Sequence, residues 1–345
     1  MIPQKFSSQT DEKEKWNARL AQFPQAGAGH LHQWGEIINA AYGWESIFLA
    51  ASDSEQIRGL LPLVFIKSRI FKKALVSMPY LNDGGILADN SDTAAFLWSQ
   101  ALEIAKAHGM DYIELRQSDA LSLPVTPRTD KISMILDLSQ GREDVWMNKI
   151  HRNVRNKIRK SEKNGVILSQ GHDHLDDFYA MHVMNMHELG SPAHCKALFE
   201  EMISFFGDKV RIYAAYKETE LIGAKLVLVS NDTLYFLWVS SPRRYMKYAA
   251  VSLMDWVAIE DGISLGATEC DFGRSTAGST HYQFKKKWGA QLRQLYWYVS
   301  PEPEFTEAGE VPTGGGLQAL SKVWKKMPRA LVQQVGPRLR GSLPQ

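Results

Sequence analysis

Two cysteines in 345 residues, Cys195 and Cys270, leave almost no material for covalent cross-links. They lie far apart, with no C-x-x-C spacing. That excludes a disulfide framework or a zinc knuckle and points to a reducing compartment. No apolar run approaches the roughly 20 residues that cross a bilayer. The opening stretch MIPQKFSSQTDEKEKW lacks the apolar core of a signal peptide. The expected location is therefore the cytoplasm, with peripheral contact at the inner face of the cytoplasmic membrane left open. Histidine is scattered: His172, His174, His182 and His187 match neither H-x-x-x-H nor H-E-x-x-H, so no metal is expected. No recognisable RNA-binding module is present, and nothing suggests DNA as a partner. Net charge is scarce too, with 40 basic against 38 acidic side chains. Only local clusters of charge carry information.

What is present is an α/β alternation written twice. Strand-like runs occur at 46–52, 56–68 and 73–80, followed by an apolar helix over 93–109 and a strand over 111–118. The second half repeats the order with strands at 211–218, 220–230 and 233–240, a helix over 248–266 and a strand over 268–275. Ile57-Arg58-Gly59 matches Leu221-Ile222-Gly223. Setting Gly109 against Gly266 places Glu114 opposite Asp271 and Ser118 opposite Ser275. Strand–strand–strand–helix–strand is the order of the GNAT acyltransferase fold. The expected architecture is α/β, with two tandem GNAT-like domains of mixed sheets flanked by helices. The first covers 1–140 and the second 141–300, the latter containing a basic helix over 149–165. A linker and amphipathic basic tail fill 301–345.

Three segments carry candidate chemistry. In DFGRSTAGSTHYQFKKKWGA (271–290), Lys285, Lys286 and Lys287 stand between Phe284 and Trp288. A helix turning 100° per residue cannot aim all three inward. Asp271 ends a strand, where carboxylates often face the α/β crevice, and is a candidate base; an ion pair with Arg274 is its ordinary explanation. Ser275, Thr276, Gly278, Ser279 and Thr280 offer backbone N–H groups to an anion. In the basic helix, Met147, Ile150, Val154 and Ile158 form an apolar stripe. Arg152, Arg155 and Arg159, with Lys160 and Lys163, project oppositely, toward solvent or a phosphate. In the tail, Leu317, Leu320, Trp324, Met327, Leu331 and Val335 recur at helical intervals, no acid follows Glu310, and Pro328 should split the helix. Residues 316–341 would dock on the first domain or on an anionic membrane.

Together with LVSMPYLNDGGILAD (75–89), RNVRNKIRKSEKNGV (152–166) and MHELGSP (186–192), the 271–289 segment resembles the Fem-type (FemAB) proteins. More narrowly, it resembles their branch associated with exosortase/PEP-CTERM and exopolysaccharide systems. The best-known members transfer an amino acid from aminoacyl-tRNA to an amine on a peptidoglycan precursor. The resemblance implies an N-acyl or aminoacyl transferase acting on a phosphorylated or lipid-linked glycan or peptide precursor of the cell envelope or an exopolysaccharide. It assigns catalysis to Lys285, an ammonium able to stabilise the oxyanion formed when an amine attacks an ester or thioester. Arg274, Ser275, Ser279, Tyr282 and Phe284, with Arg152, Arg155 and Arg159, are then the expected substrate- and phosphate-binding residues. The donor is aminoacyl-tRNA or an acyl-CoA, and no further cofactor is implied. At 243–250 the GNAT pyrophosphate loop, Arg/Gln-x-x-Gly-x-Gly/Ala, appears as Arg244-x-x-Lys247-x-Ala249. Lysine there obstructs close backbone approach to a pyrophosphate. A CoA-dependent N-acetyltransferase is one alternative reading, and a non-catalytic membrane-surface scaffold is another.

Overall fold

A computed structural model describes residues 1–6, 10–53, 56–68, 72–301 and 321–341. The chain forms two compact units, each built on a seven-stranded sheet.

In the first unit β1 (Ile2–Phe6), β2 (Ser46–Asp53), β3 (Gln56–Ile66), β4 (Ala74–Val76), β6 (Tyr112–Gln117) and β14 (Tyr296–Ser300) line up in that order. β5 (Leu87–Ala88) pairs with β3. Only β4 and β6 run parallel, joined through α3 (Ser91–Ala107). Asn90 caps α3 by accepting the Thr93 N–H at 2.9 Å. Leu97, Trp98, Ala101 and Ala105 share one face at helical spacing and pack on Leu61, Leu63, Leu75, Ile113 and Leu115. The other face of the sheet is covered by Trp16 and Leu20 of α1 (Thr10–Leu20), packed against Phe6, Phe48 and Leu60. A further helix, α2, spans Gln33–Tyr42.

The second sheet runs β13 (Gln291–Gln294), β7 (Lys131–Asp137), β12 (Glu269–Thr276), β11 (Thr233–Ser240), β10 (Glu220–Ser230), β9 (Val210–Lys217), β8 (Val166–Gln170). In it β11 and β12 run parallel, joined through α8 (Ala250–Ser264). Before β8 come α4 (Gly141–Asp144), a π-turn over Val145–Lys149 and α5 (Arg152–Lys163). Helices α6 (Leu175–Leu189) and α7 (Lys196–Phe206) precede β9. The short α9 (Thr280–Lys286) follows β12.

The two units repeat one another in detail. Each carries a bulge one residue before its matched glycine: Arg58 before Gly59, and Ile222 before Gly223. Each parallel pairing ends on its matched acid, Val76 opposite Glu114 and Tyr235 opposite Asp271. The expected division at 140 and 300 follows chain order, whereas strand membership does not: β7 belongs to the second sheet and β14 to the first.

Two expectations are corrected. The basic helix begins at Arg152, because the π-turn breaks at Ile150, which is extended (φ −74°, ψ 123°). That shift takes Met147 out of the apolar stripe and leaves it 63% exposed. The tail packs on the second unit, not the first. Trp324, from a helical segment at 321–324, and Val332, from α10 (Arg329–Arg340), are buried against Val183 and Ala193. His187 Nε2 lies 2.9 Å from the Trp324 carbonyl. The helix is interrupted ahead of Pro328 as its ring requires. Leu331 and Val335 face solvent instead of the core, and Leu317 and Leu320 lie outside the described residues.

Candidate active site

The parallel pair β11–β12 ends its pairing at Tyr235 and Asp271, and the candidate groups gather just beyond. Asp271 Oδ1 accepts the Ser133 hydroxyl at 2.5 Å and the Gly273 N–H at 2.7 Å. Both bonds fix the direction of the carboxylate.

Lys285 reaches back from α9 to the same strand. Its Nζ donates to the Gly273 carbonyl and to the Arg274 carbonyl, each at 2.8 Å. Successive carbonyls of a regular strand point to opposite sides. Gly273 breaks that alternation with a left-handed φ of +74°, which allows two neighbouring carbonyls to meet one ammonium. An ammonium has three N–H donors. Two are spent on the strand, and among the described residues no acceptor takes the third. Burial pushes the Lys285 pKa down to about 8, and the Asp271 carboxylate is the chief opposing influence. Lys285 is half-buried, while Lys286 and Lys287 are exposed.

The remaining residues of the motif have distinct tasks. Ser279 caps α9, its hydroxyl oxygen accepting the Tyr282 N–H at 3.2 Å. Ser275 is buried, with its hydroxyl unpaired. Arg274 and Tyr282 are partly exposed. Trp288 is fully buried and anchors the end of the helix against Phe272 and Phe284, at ring distances of 5.8 and 6.5 Å.

The basic helix joins this region at its N-terminus, where the His151 N–H donates to the Lys287 carbonyl at 2.9 Å. Lys157 lies over the Phe284 ring at 6.0 Å. The arginines divide. Arg155 spends its guanidinium on the π-turn, donating to the carbonyls of Trp146 (2.8 Å) and Ile150 (2.6 Å). Arg152 is exposed, and Arg159 is exposed while lying over Trp146 at 5.6 Å. At the start of α8, Arg244 donates to the Tyr245 hydroxyl at 2.9 Å, Lys247 is exposed, and Ala249 takes a left-handed φ of +57°.

Sequence reasoning missed one pair altogether. Lys225 of β10 and Asp255 of α8 form an ion pair at 2.6 Å in the interior, 1% and 2% exposed. Burial lowers the lysine pKa and raises that of the acid. The available signal was a single charge inside each apolar run, LIGAKLVLV and VSLMDWVAI.

In the first unit the counterpart acid is occupied. Arg116 Nε and Nη2 donate to Glu114 at 2.8 Å, Nη1 donates to the Leu81 carbonyl, and the guanidinium stacks on Trp297 at 4.7 Å. A cleft of about 730 Å³ opens in the second unit at the opposite end of β12, walled by Asp137, Lys149, Glu269 and Arg293. Its cations are already paired, Lys149 with Asp137 and Arg293 with Glu269. It offers weaker chemistry than the Lys285 end.

Residues 148–286 match the model of the acetyltransferase (GNAT) domain, which spans the β11–β12 pair and ends just past Lys285. No curated protein matches the chain in sequence. Among solved structures, FemX aligns with a TM-score of 0.65 at 15% identity, covering 87% of this chain and 97% of FemX. A tandem GNAT protein from the clavulanic acid biosynthesis pathway aligns at 0.57 and 11% identity, covering 87% and 98%. The C-terminal domain of a lysylphosphatidylglycerol synthetase from Agrobacterium fabrum, itself named as putative, aligns at 0.52 and 11%, covering 84% and 93%. The fold is that of tandem GNAT proteins.

Proposed function

We propose that the chain is an N-acyl or aminoacyl transferase of Fem type, forming an amide on an amine of a cell-envelope or exopolysaccharide precursor at the Lys285 end of the second unit. The observation that carries this reading is the Lys285 ammonium, fixed by two strand carbonyls with one N–H unspent.

The acceptor amine attacks the carbonyl carbon of the donor ester or thioester. The C–N bond forms as the carbonyl π electrons move onto oxygen, and the third N–H of Lys285 meets that oxyanion. Such a donor acts on the transition state more than on the ground state. Asp271 keeps Lys285 charged and takes the proton released by the amine. Collapse of the intermediate re-forms the carbonyl and breaks the bond to the donor's alkoxide or thiolate, which takes the proton held by Asp271 and leaves as alcohol or thiol. Asp271 and Lys285 stand in one local network, through Gly273, so both act on one reacting centre.

Arg152, Arg159 and Lys157, all exposed on α5 and with Lys157 over the Phe284 ring, suit the phosphates of a tRNA or of a lipid-linked precursor. The outward Lys322, Val323, Lys325, Lys326, Leu331 and Val335 of the docked tail suit an anionic membrane carrying such a precursor. The match to an acetyltransferase domain favours one second reading, a CoA-dependent N-acetyltransferase. Against it stands the side chain of Lys247, where a pyrophosphate loop needs glycine.

Thermal-shift titration with acyl-CoAs and with aminoacyl-tRNA separates the donors. Mass spectrometry of envelope and exopolysaccharide precursors, with and without the gene, identifies the transferred group. An unchanged precursor pool would sink the reading.

A further inference from the structure

The Lys225–Asp255 pair has no contact with solvent, and general electrostatics makes it an expensive way to fill a core. Two apolar side chains of similar volume usually serve stability as well or better. Its location suggests another use.

Lys225 Nζ lies 3.0 Å from the centre of the Phe236 ring, on β11. Phe236 borders the bulge of that strand: Leu226 opposes Trp238 and Val227 opposes Phe236, so that Leu237 is the extra residue. A bulge disrupts the ladder locally and bends the strand, which makes the placement of the flanking Phe236 ring depend on its side-chain contacts. Phe236 packs edge-on against Phe272 at 4.8 Å. Phe272 stands between Asp271 and Gly273 and packs in turn on Trp288 at 5.8 Å. Trp288 closes the turn after α9, its N–H donating to the Lys285 carbonyl at 3.0 Å. An unbroken series of contacts therefore runs from the buried pair, through three rings, to the residues on both sides of the reacting centre.

We propose that Lys225 and Asp255 are positioning residues for Lys285: the ion pair clamps Phe236 at the bulge, and the ring series holds β12 and α9 at the spacing that lets Lys285 reach both carbonyls. The assignment rests on the transferase reading, but its geometric part does not need turnover to be tested. Asp255 holds the Lys225 ammonium by a direct bond, and the ammonium holds the ring face by cation–π attraction. Neither residue touches a reacting atom.

The experiment uses the full chain and N-hydroxysuccinimide acetate as the probe, across a pH series, with acetylation of each lysine followed by peptide mass spectrometry. In the native protein the Lys285 rate should follow a free-amine midpoint near pH 8, because burial lowers its pKa; the exposed Lys286 and Lys287 serve as internal references. In the double variant Lys225→Met/Asp255→Leu the melting temperature should be kept or raised. The Lys285 midpoint should there rise by about half a pH unit or more, roughly a threefold loss of free amine below it, as Lys285 leaves the two carbonyls for solvent. Phe236→Leu, which leaves the ion pair in place and breaks the ring series, should give the same selective shift, and it decides the matter if the double variant does not fold. With an identified donor, the double variant should lose about tenfold in kcat at little-changed KM. An unaltered Lys285 midpoint in a folded variant overturns the positioning role, even if Lys285→Ala abolishes transfer. Conversely, a selective change at Lys285 together with full transfer by Lys285→Ala would retain the clamp and reject the catalytic role of Lys285.

Discussion

If Lys285 acts as an ammonium, transfer must fall as alkali removes its proton. Burial sets its pKa at about 8, against 10.5 for a free lysine side chain. Because the folded value lies below the free one, the charged form is complete only on the acid side of pH 8. At pH 7 about nine-tenths of the molecules carry the ammonium; at pH 9 only about one-tenth do. The kcat/KM profile should therefore drop roughly tenfold between these values and about tenfold per pH unit beyond. Asp271→Asn removes the carboxylate that opposes the effect of burial, so the limb should move to lower pH. A fall in the plateau itself would measure the separate loss of a proton acceptor. The assay is mass-detected amide formation across pH 6–10, with whichever donor binding identifies. A profile flat to pH 10 would show that the Lys285 charge is irrelevant. A rate rising through pH 8 would mean that the free amine is the working species, contrary to the oxyanion argument.

Other perturbations separate structure from chemistry. Arg155→Ala should destabilise the fold by about 1–3 kcal/mol, since it strips carbonyls of a charged donor, and a denaturant titration reads this directly. Arg152→Ala should leave stability alone and raise the KM for a phosphate-bearing substrate. Gly273→Ala places a Cβ in the left-handed region at a cost of about 1–2 kcal/mol; transfer should fall further than the melting temperature suggests, because two carbonyls move with it. Trp324→Ala should cost about 3–5 kcal/mol in chemical denaturation by emptying the tail's packing site against Val183 and Ala193.

The strands and crossover helices were legible because apolar periodicity records one-sided burial. Asn90 before α3 and Gly109 after it mark real ends. Partnership was less legible. β7 and β14 look like ordinary neighbours of the strands preceding them in the chain, yet each sits in the other sheet, since pairing depends on edges that periodicity does not encode. For the tail, the stripe containing Trp324 announced burial without naming the surface that receives it. Arg155 looked no different from Arg152 until the π-turn supplied it with carbonyls. Within the site, the 271–290 segment carried its own signal through charge and aromatic density, sharpened by the Fem-type resemblance. Lys225 and Asp255 stand 30 residues apart, and only folding makes them a pair.

The most direct test of the central claim is transfer by Lys285→Ala beside Lys286→Ala, at equal melting temperatures and saturating substrate. Loss of one preorganised donor at an oxyanion is worth about 3–4 kcal/mol. The account predicts that Lys285→Ala loses a hundredfold or more in kcat, while Lys286→Ala, exposed on the same turn, stays within about twofold. Equal activity in the two variants, or a loss confined to KM, would contradict it.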